Sequence, residues 1–244
     1  MPTILIDADI HMYRAISAAQ SEVEWEEDVW AIQCDLKEAM IQFEGMISAV
    51  TDNGENAAKL CFSDRTGRNF RKELVDPTYK SNRVTKKPVG FKPFRDKLFD
   101  TFAWQIVCKP ALEADDVIGI LATKPGADFI ISSADKDLKT IPGKHLVDGA
   151  IIEISPEEAI RFFYTQVLTG DPVDGYKGLP GCGPVKAGSI LSKEGEPWAN
   201  IVDAYVKAGF TEEDALRQAR MARILQWNDW DQQKQEPVLW NPSA

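Results

Sequence analysis

Thr3-Ile4-Leu5-Ile6-Asp7 is a run of apolar residues that ends in a carboxylate. Four apolar or β-branched residues of this kind are long enough for a short buried strand, and Asp7 then stands at its carboxyl end. The pattern recurs. Ala58–Ser63 is a second such run, followed at once by Asp64. Asp128–Ser132 is another, stopping just short of Asp135. Trp104–Cys108 predicts a further strand, and Ala114–Ala122 predicts a helix that opens on three acids, Glu113, Asp115 and Asp116. Strands alternating with helices indicate an α/β fold with a mostly parallel wound sheet flanked by helices. Sites in such sheets form beyond the carboxyl ends of the strands, which is where these acids fall.

Between these segments the spacing of Val29, Ile32, Leu36, Met40, Phe43, Ile47 and Val50 predicts a long amphipathic helix over Asp28–Val50, with Glu22–Asp28 as an acidic surface turn. Arg95–Phe102 predicts a helix. Val84–Pro93, with Pro88, Gly90 and Pro93, predicts a mobile connection. Leu146–Ile154 predicts a small hairpin. The last third differs. Ser155 caps a helix with Pro156 at its first position and Glu158 three residues after the cap. A Gly/Pro-rich loop from Gly170 to Gly183 follows, then helices from Pro184, over Pro197–Ala208 and over Thr211–Leu225. The expected organisation is a core over residues 1–154 and a helical module over 155–244. The tail carries Trp227, Trp230 and Trp240 with no clear period and no functional reading.

The chain has 244 residues and a net charge of −10, yet from Arg65 to Lys97 eleven basic residues face only three acids. Such a block is either a solvated loop or a grip on phosphates, and composition does not choose between them. Four scattered cysteines and two histidines make no zinc pattern and suit a reducing cytosol. No apolar run approaches a membrane span, and the first residues lack the basic leader of a signal peptide, so a cytoplasmic protein is expected.

The acids at strand ends and loop positions are Asp7, Asp64, Glu113, Asp115, Asp116, Asp135, Asp137, Asp171 and Asp174. Singly, each has an ordinary explanation: Asp7 as a helix cap, Asp171 and Asp174 as turn closers. Together they ask for a compensating cation. Glu113 and Asp116 share a helix face with Val117, Ile120 and Leu121, and basic residues are scarce near them in sequence. Oxygen-only ligands select Mg²⁺ or Mn²⁺ over zinc. Their number exceeds the needs of one octahedral ion, so two are expected. Such a pair can activate water and stabilise the leaving oxygen of a phosphodiester.

Five segments, in order, resemble one family. They are Ile4-Leu5-Ile6-Asp7; Phe62-Ser63-Asp64 with Tyr79-Lys80-Ser81-Asn82-Arg83; Leu112-Glu113-Ala114-Asp115-Asp116-Val117; Ser133-Ala134-Asp135-Lys136-Asp137-Leu138; and Thr169-Gly170-Asp171 through Asp174 to Gly178-Leu179-Pro180-Gly181-Cys182-Gly183-Pro184-Val185-Lys186-Ala187. The set is similar to the structure-specific 5′ nucleases: flap endonucleases, bacteriophage 5′–3′ exonucleases and the 5′ nuclease domain of bacterial DNA polymerase I.

The resemblance implies a PIN-like core, a helix-hairpin-helix module and cleavage of DNA, or of RNA annealed to DNA, at a 5′ end or flap. By it, Asp7, Asp64 and Asp115 would surround one metal, and Asp135 and Asp137 would hold a second with Asp115 between. Glu113, Asp116, Asp171 and Asp174 would ligate directly or through water. Lys80 would approach the scissile phosphate, Arg83 a neighbouring phosphate, and Tyr79 would stack on a base. The basic arch, about residues 79–97, would add Lys86 and Lys87. Gly181, Gly183 and Lys186 would hold duplex DNA at a helix start, where a monovalent cation such as K⁺ can sit. A monomer acting in replication, with replication proteins as possible partners, in the cytoplasm of an infected bacterium is the implied setting. The connection from Arg83 to Glu113 is shorter than the family's usual arch, and Asp9 lies outside its pattern. Two rival readings exist. One is a haloacid dehalogenase-type phosphatase with Asp7 as nucleophile, suggested by Asp7-Ala8-Asp9. The other is a non-catalytic nucleic-acid-binding module.

Overall fold

The structure is a computed structural model and describes residues 2–84 and 86–242. Its centre is β1, Thr3–Asp7. On one side β1 pairs in parallel with β4, Ala58–Phe62, through Ile4↔Ala58 to Asp7↔Cys61. On the other it pairs in parallel with β6, Phe129–Ser132. Adding β5 (Ile106–Cys108), β7 (Gly143–Val147) and β8 (Ala150–Ile154) gives the order β5-β4-β1-β6-β7-β8, in which only β8 is antiparallel. Successive side chains of a strand point to opposite faces, so β1 is buried twice. Ile4 and Ile6 pack with Met12, Phe43 and Phe94 of helices α1 (Ala8–Ala18), α2 (Leu36–Val50) and α3 (Phe91–Thr101). Leu5 packs with Val117 and Ile120 of α4, Ala114–Ala122.

The predicted helix over Asp28–Val50 is a correction. Its first part is strand: β2 (Gln20–Glu26) and β3 (Val29–Cys34) make an antiparallel hairpin of their own, turning at Asp28 with φ 61°. The predicted turn over Glu22–Asp28 is therefore mostly β2. The step-of-three-and-four count ran across Asp35, whose side chain accepts from the backbone N–H groups of Lys37 and Glu38 and starts α2 there. Before that cap, Val29, Trp30 and Ile32 are strand formers. In the Val84–Pro93 segment Thr85 lies outside the described residues, and α3 already starts at Phe91, with Pro93 in its first turn, where a missing N–H costs nothing.

Beyond β8 the chain forms α5 (Pro156–Thr169), α6 (Pro184–Leu191), α7 (Pro197–Lys207) and α8 (Glu212–Ala222) around a cluster that includes Phe163, Val167, Ile201, Tyr205 and Ala219. The Ser155/Glu158 capping box closes as expected. The tail, left without a reading in the sequence, is structural. Ile224, Leu225 and Trp230 return to the sheet and join the cluster around Leu5. Trp240 packs edge-on against Phe163 and Trp198, with ring centroids 5.3 and 5.1 Å away. The return passes so close to α4 that a Cβ on Gly119 would lie 2.3 Å from the Leu225 carbonyl oxygen.

Gly119→Ala therefore forces backbone apart at a packed interface. The expected loss is about 2–3 kcal/mol, read as a fall in Tm of roughly 5–10 °C by circular dichroism. An unchanged Tm would show that the tail does not rest on α4.

Candidate active site

The parallel sheet brings its carboxyl ends to one edge, and the predicted acids collect there. Asp7 ends β1 and is buried, its Oδ2 accepting from Ser133 Oγ at 3.0 Å. Asp9, in the first turn of α1, accepts the backbone N–H of Ser63 at 3.0 Å. Burial, and then the nearness of Asp9, push the Asp7 carboxyl up to about 7. Burial also raises Asp9.

At the start of α4, Glu113 is the N-cap and forms a capping box with Asp116, while Asp115 follows on the first turn. Ligand oxygens of Glu113, Asp115 and Asp116 lie within 4.8 Å of one another. The helix N-terminus tolerates this concentration of negative charge, but three carboxylates, one buried and two half-buried, need more. The protein supplies part of it. Arg71, on the single wide helical turn Arg71–Val75, is 1% exposed and grips Asp116 with both ends of its fork at 2.7 Å. It also reaches Glu113 Oε2 at 3.1 Å. The other Asp116 contacts are backbone N–H groups, from Glu113 and Leu225. Arg71 thus supplies a cation to Asp116, and both Asp116 oxygens are engaged.

Glu113 Oε1 receives Lys80 Nζ at 2.6 Å. Lys80 also lies 3.4 Å from Asp174, which pairs with Arg83 at 2.6 Å and accepts from the Tyr79 hydroxyl at 2.9 Å. The predicted Tyr79, Lys80 and Arg83 thus all meet Asp174, although more than ninety residues separate them in sequence. Burial opposes the charge on Glu113, but Lys80 and Arg71 outweigh it and hold the carboxyl down at about 2. Asp115 goes the other way. Burial, then Asp116 and Glu113, raise it well above the usual carboxylate range.

Asp135 accepts from the Asp137 N–H, and Asp137 accepts from Gln166 Nε2 at 2.7 Å. Burial, then Asp135, push Asp137 up to about 6. Lys136 bridges loosely to Asp171 at 3.5 Å. Asp171 Oδ1 closes a turn by accepting from Val173 and Asp174 N–H. Asp64 stands at the predicted strand end, and its oxygens accept from Thr66 and the Ala111 N–H. These hydrogen bonds override its partial burial and lower its pKa. Asp64 and Asp9 line a cleft of about 800 Å³ whose other wall carries Lys87, Lys92 and Arg95.

Two groups of predicted residues do not touch the acids. Lys86 and Lys87 are exposed, with Lys87 over the Phe91 ring. Gly181, Gly183 and Lys186 lie on the exposed turn into α6, where Gly181 has φ 68° and Gly183 is the N-cap. Sequence reasoning missed Arg71, Asp9, Ser133 and Gln166 as parts of the site. The one available signal was for Arg71: an acid placed among Val117 and Ile120 demands a partner, and Arg71 was counted only as one member of a basic stretch.

Residues 2–161 match the family model described as the 5′-3′ exonuclease, N-terminal resolvase-like domain. The exonuclease of Escherichia phage T7 is 34% identical over 98% of this chain and 93% of its own length. The exodeoxyribonuclease of Enterobacteria phage T3 is 33% identical over 99% and 93%. The bacteriophage T5 flap endonuclease, solved with DNA and metal ions, superposes with a TM-score of 0.63 at 16% identity, covering 91% of this chain and 89% of that one.

The raised Asp7 pKa gives a pH signature in metal-free protein. Ionising Asp7 in place costs stability that is fully present above pH 7 and is relieved as pH falls towards the unfolded value of 3.8. In EDTA, Tm is expected to rise from pH 8 to pH 5.5, and Asp7→Asn is expected to be the more stable protein at pH 8, by at most about 4 kcal/mol. A parent Tm that falls across this window in step with the variant's would contradict the buried carboxyl.

Proposed function

The chain belongs to the 5′–3′ exonuclease family, and from that premise we propose that it hydrolyses phosphodiesters of DNA near 5′ ends and at flaps, using two divalent ions. The carrying observation is an imbalance of charge. Glu113, Asp116 and Asp174 form ion pairs with Arg71, Lys80 or Arg83, whereas among the described residues Asp7, Asp9, Asp115 and Asp135 form none within 4 Å, and Arg71, Lys80 and Arg95 act on Asp115 and Asp9 only from farther off. Asp7 is buried and Asp9 and Asp115 are partly so, and carboxylates withdrawn from water without an ion-pair partner either take up protons or bind metal. The donor set fits hard divalent ions, since its ligand atoms are all oxygen. Mg²⁺ or Mn²⁺ is the proposed occupant. Asp7, Asp64 and Asp115 would hold one ion and Asp135 and Asp137 the other, with Glu113, Asp171 and Asp174 acting directly or through water. When bound, the ions supply water activation and stabilisation of the leaving oxygen.

The chain's own side chains do the rest. Lys80 is held between Glu113 and Asp174, one side-chain swing from any phosphate that enters beside Asp115, and there it offsets developing negative charge. Arg83 is half-exposed at the same Asp174 and meets the next phosphate. The basic wall of the cleft, Lys87, Lys92 and Arg95, guides the strand. The turn Gly181–Gly183 and Lys186 hold the duplex at the start of α6, as a helix-hairpin-helix, with K⁺ as a candidate ion there. On this reading residues 1–154 carry the chemistry and 155–244 the duplex. The setting is a monomer in the cytoplasm of an infected bacterium, acting in replication or DNA degradation, with RNA–DNA hybrids as further substrates. No helix among the described residues is long and apolar enough to cross a membrane. A phosphatase with Asp7 as nucleophile, or a module that only binds, is not favoured, because the relatives matched along nearly the whole chain are exonucleases.

The test is cleavage of 5′-labelled duplex, flap and RNA–DNA substrates. Activity is expected with Mg²⁺ and none with EDTA. Asp64→Ala and Asp135→Ala are expected to lose several orders of magnitude with folding intact, and Lys80→Ala about 10²- to 10³-fold. Cutting at the parental rate in both aspartate variants, or cutting in EDTA, would refute the metal-dependent mechanism. An aspartyl-phosphate trapped on Asp7 would restore the phosphatase reading.

A further inference from the structure

Arg71 touches no space open to substrate, yet every N–H of its guanidinium is used. Nη1 donates to Glu113 Oε2 and Asp116 Oδ2, Nη2 to Asp116 Oδ1 and the Arg223 carbonyl, and Nε to the Met221 carbonyl. Its faces lie against the rings of Phe70 and Tyr79, 4.6 and 5.6 Å from their centroids. The two carbonyls are at the carboxyl end of α8, where a helix leaves acceptors unpaired and favours a cation. Arg71 therefore joins three pieces of chain: its own turn after β4, the acids opening α4, and the last helix of the helical region. Glu113 shows the consequence. Its Oε2 is occupied by Arg71 and by the Tyr79 hydroxyl, which leaves Oε1 turned to Lys80.

We propose that Arg71 is a positioning residue for the cleavage step: it locks Glu113, and through it Lys80, in register with the helical region. The proposal rests on the nuclease reading above. A buried ion pair is a weak source of stability compared with well-packed apolar side chains. What the rigid fork adds is angle and distance, which the point charge of lysine does not reproduce. Asp116 belongs to the same device, as the anchor of Arg71 rather than as a metal ligand.

The test uses the full chain with Arg71→Lys and Asp116→Asn, each alone and combined with Lys80→Ala. Single-turnover cleavage of a 5′-labelled flap in Mn²⁺ is measured beside duplex affinity in EDTA and cooperative melting. Each single variant is expected to slow cleavage about 100-fold, the scale of a displacement near 1 Å. Duplex Kd and the Mn²⁺ concentration for half-maximal rate are expected to move less than about threefold. Each double variant is expected to cleave within about threefold of Lys80→Ala alone, because the single variants already leave the lysine out of place.

Multiplicative losses in the double variants would overturn the proposal. So would a Kd that weakens as much as the rate falls, or a shifted Mn²⁺ dependence in Asp116→Asn. Should Arg71→Lys fail to fold, Asp116→Asn carries the same comparison. Unfolding of both would make Arg71 a structural clamp alone and reject a role in cleavage. Inactivity of the parent protein on every substrate would overturn the nuclease reading as well, which separates that failure from a failure of Arg71 only.

Discussion

The pairing of Arg71 with Asp116 sits where the sheet, the opening of α4 and the end of α8 meet, and neither partner is accessible to water. In a medium of low dielectric an unpaired charge at this point would cost several kcal/mol. Each group is thus tolerable only because the other is placed with both oxygens and both amino groups matched. The backbone N–H of Leu225 completes the set. The tail is thereby held against α4, and Gly119 permits the approach.

That pair also divides the acids into two kinds. Glu113 shares in the positive charge of Arg71 and Lys80 and stays ionised far below the ordinary range. Asp115, two residues on in the same helix turn, feels mainly burial and its anionic neighbours, and moves up. Asp7 and Asp137 move up for the same reason. One helix start therefore carries both a carboxylate neutralised by the protein and a carboxylate that invites an external cation. Opposed shifts of this kind, in groups a few ångströms apart, are what a site needs if some side chains are to hold ions while others hold a lysine for use on phosphate. Parallel pairing of β4, β1 and β6 makes the arrangement possible, since it delivers Ser63, Asp7 and Ser133 to one edge from three distant parts of the chain.

Much of this was legible in the residues. Short apolar runs closing on acids pointed to strands of a mostly parallel sheet, and Ser155-Pro156 with Glu158 to the start of α5. The family resemblance puts Tyr79, Lys80, Arg83 and Asp174 in one site, and these side chains do meet in the structure. The β2–β3 hairpin was misread because apolar residues three and four apart fit two periodicities over a short window. The decisive mark was the cap at Asp35 rather than the spacing of Val29 and Ile32.

By itself, then, the sequence determined which segments become strands and helices of the sheet, and that oxygen-bearing side chains gather at its carboxyl edge. Both follow from local patterns: burial sets the period, and position in a strand sets the end at which a side chain emerges. Only the tertiary structure decided how the charges are balanced. Arg71 lies 45 residues from Asp116 in the chain and 152 from the Arg223 carbonyl. No spacing rule connects groups so far apart. Whether a buried acid faces a guanidinium or awaits a cation depends on which side chains the completed packing sets against it.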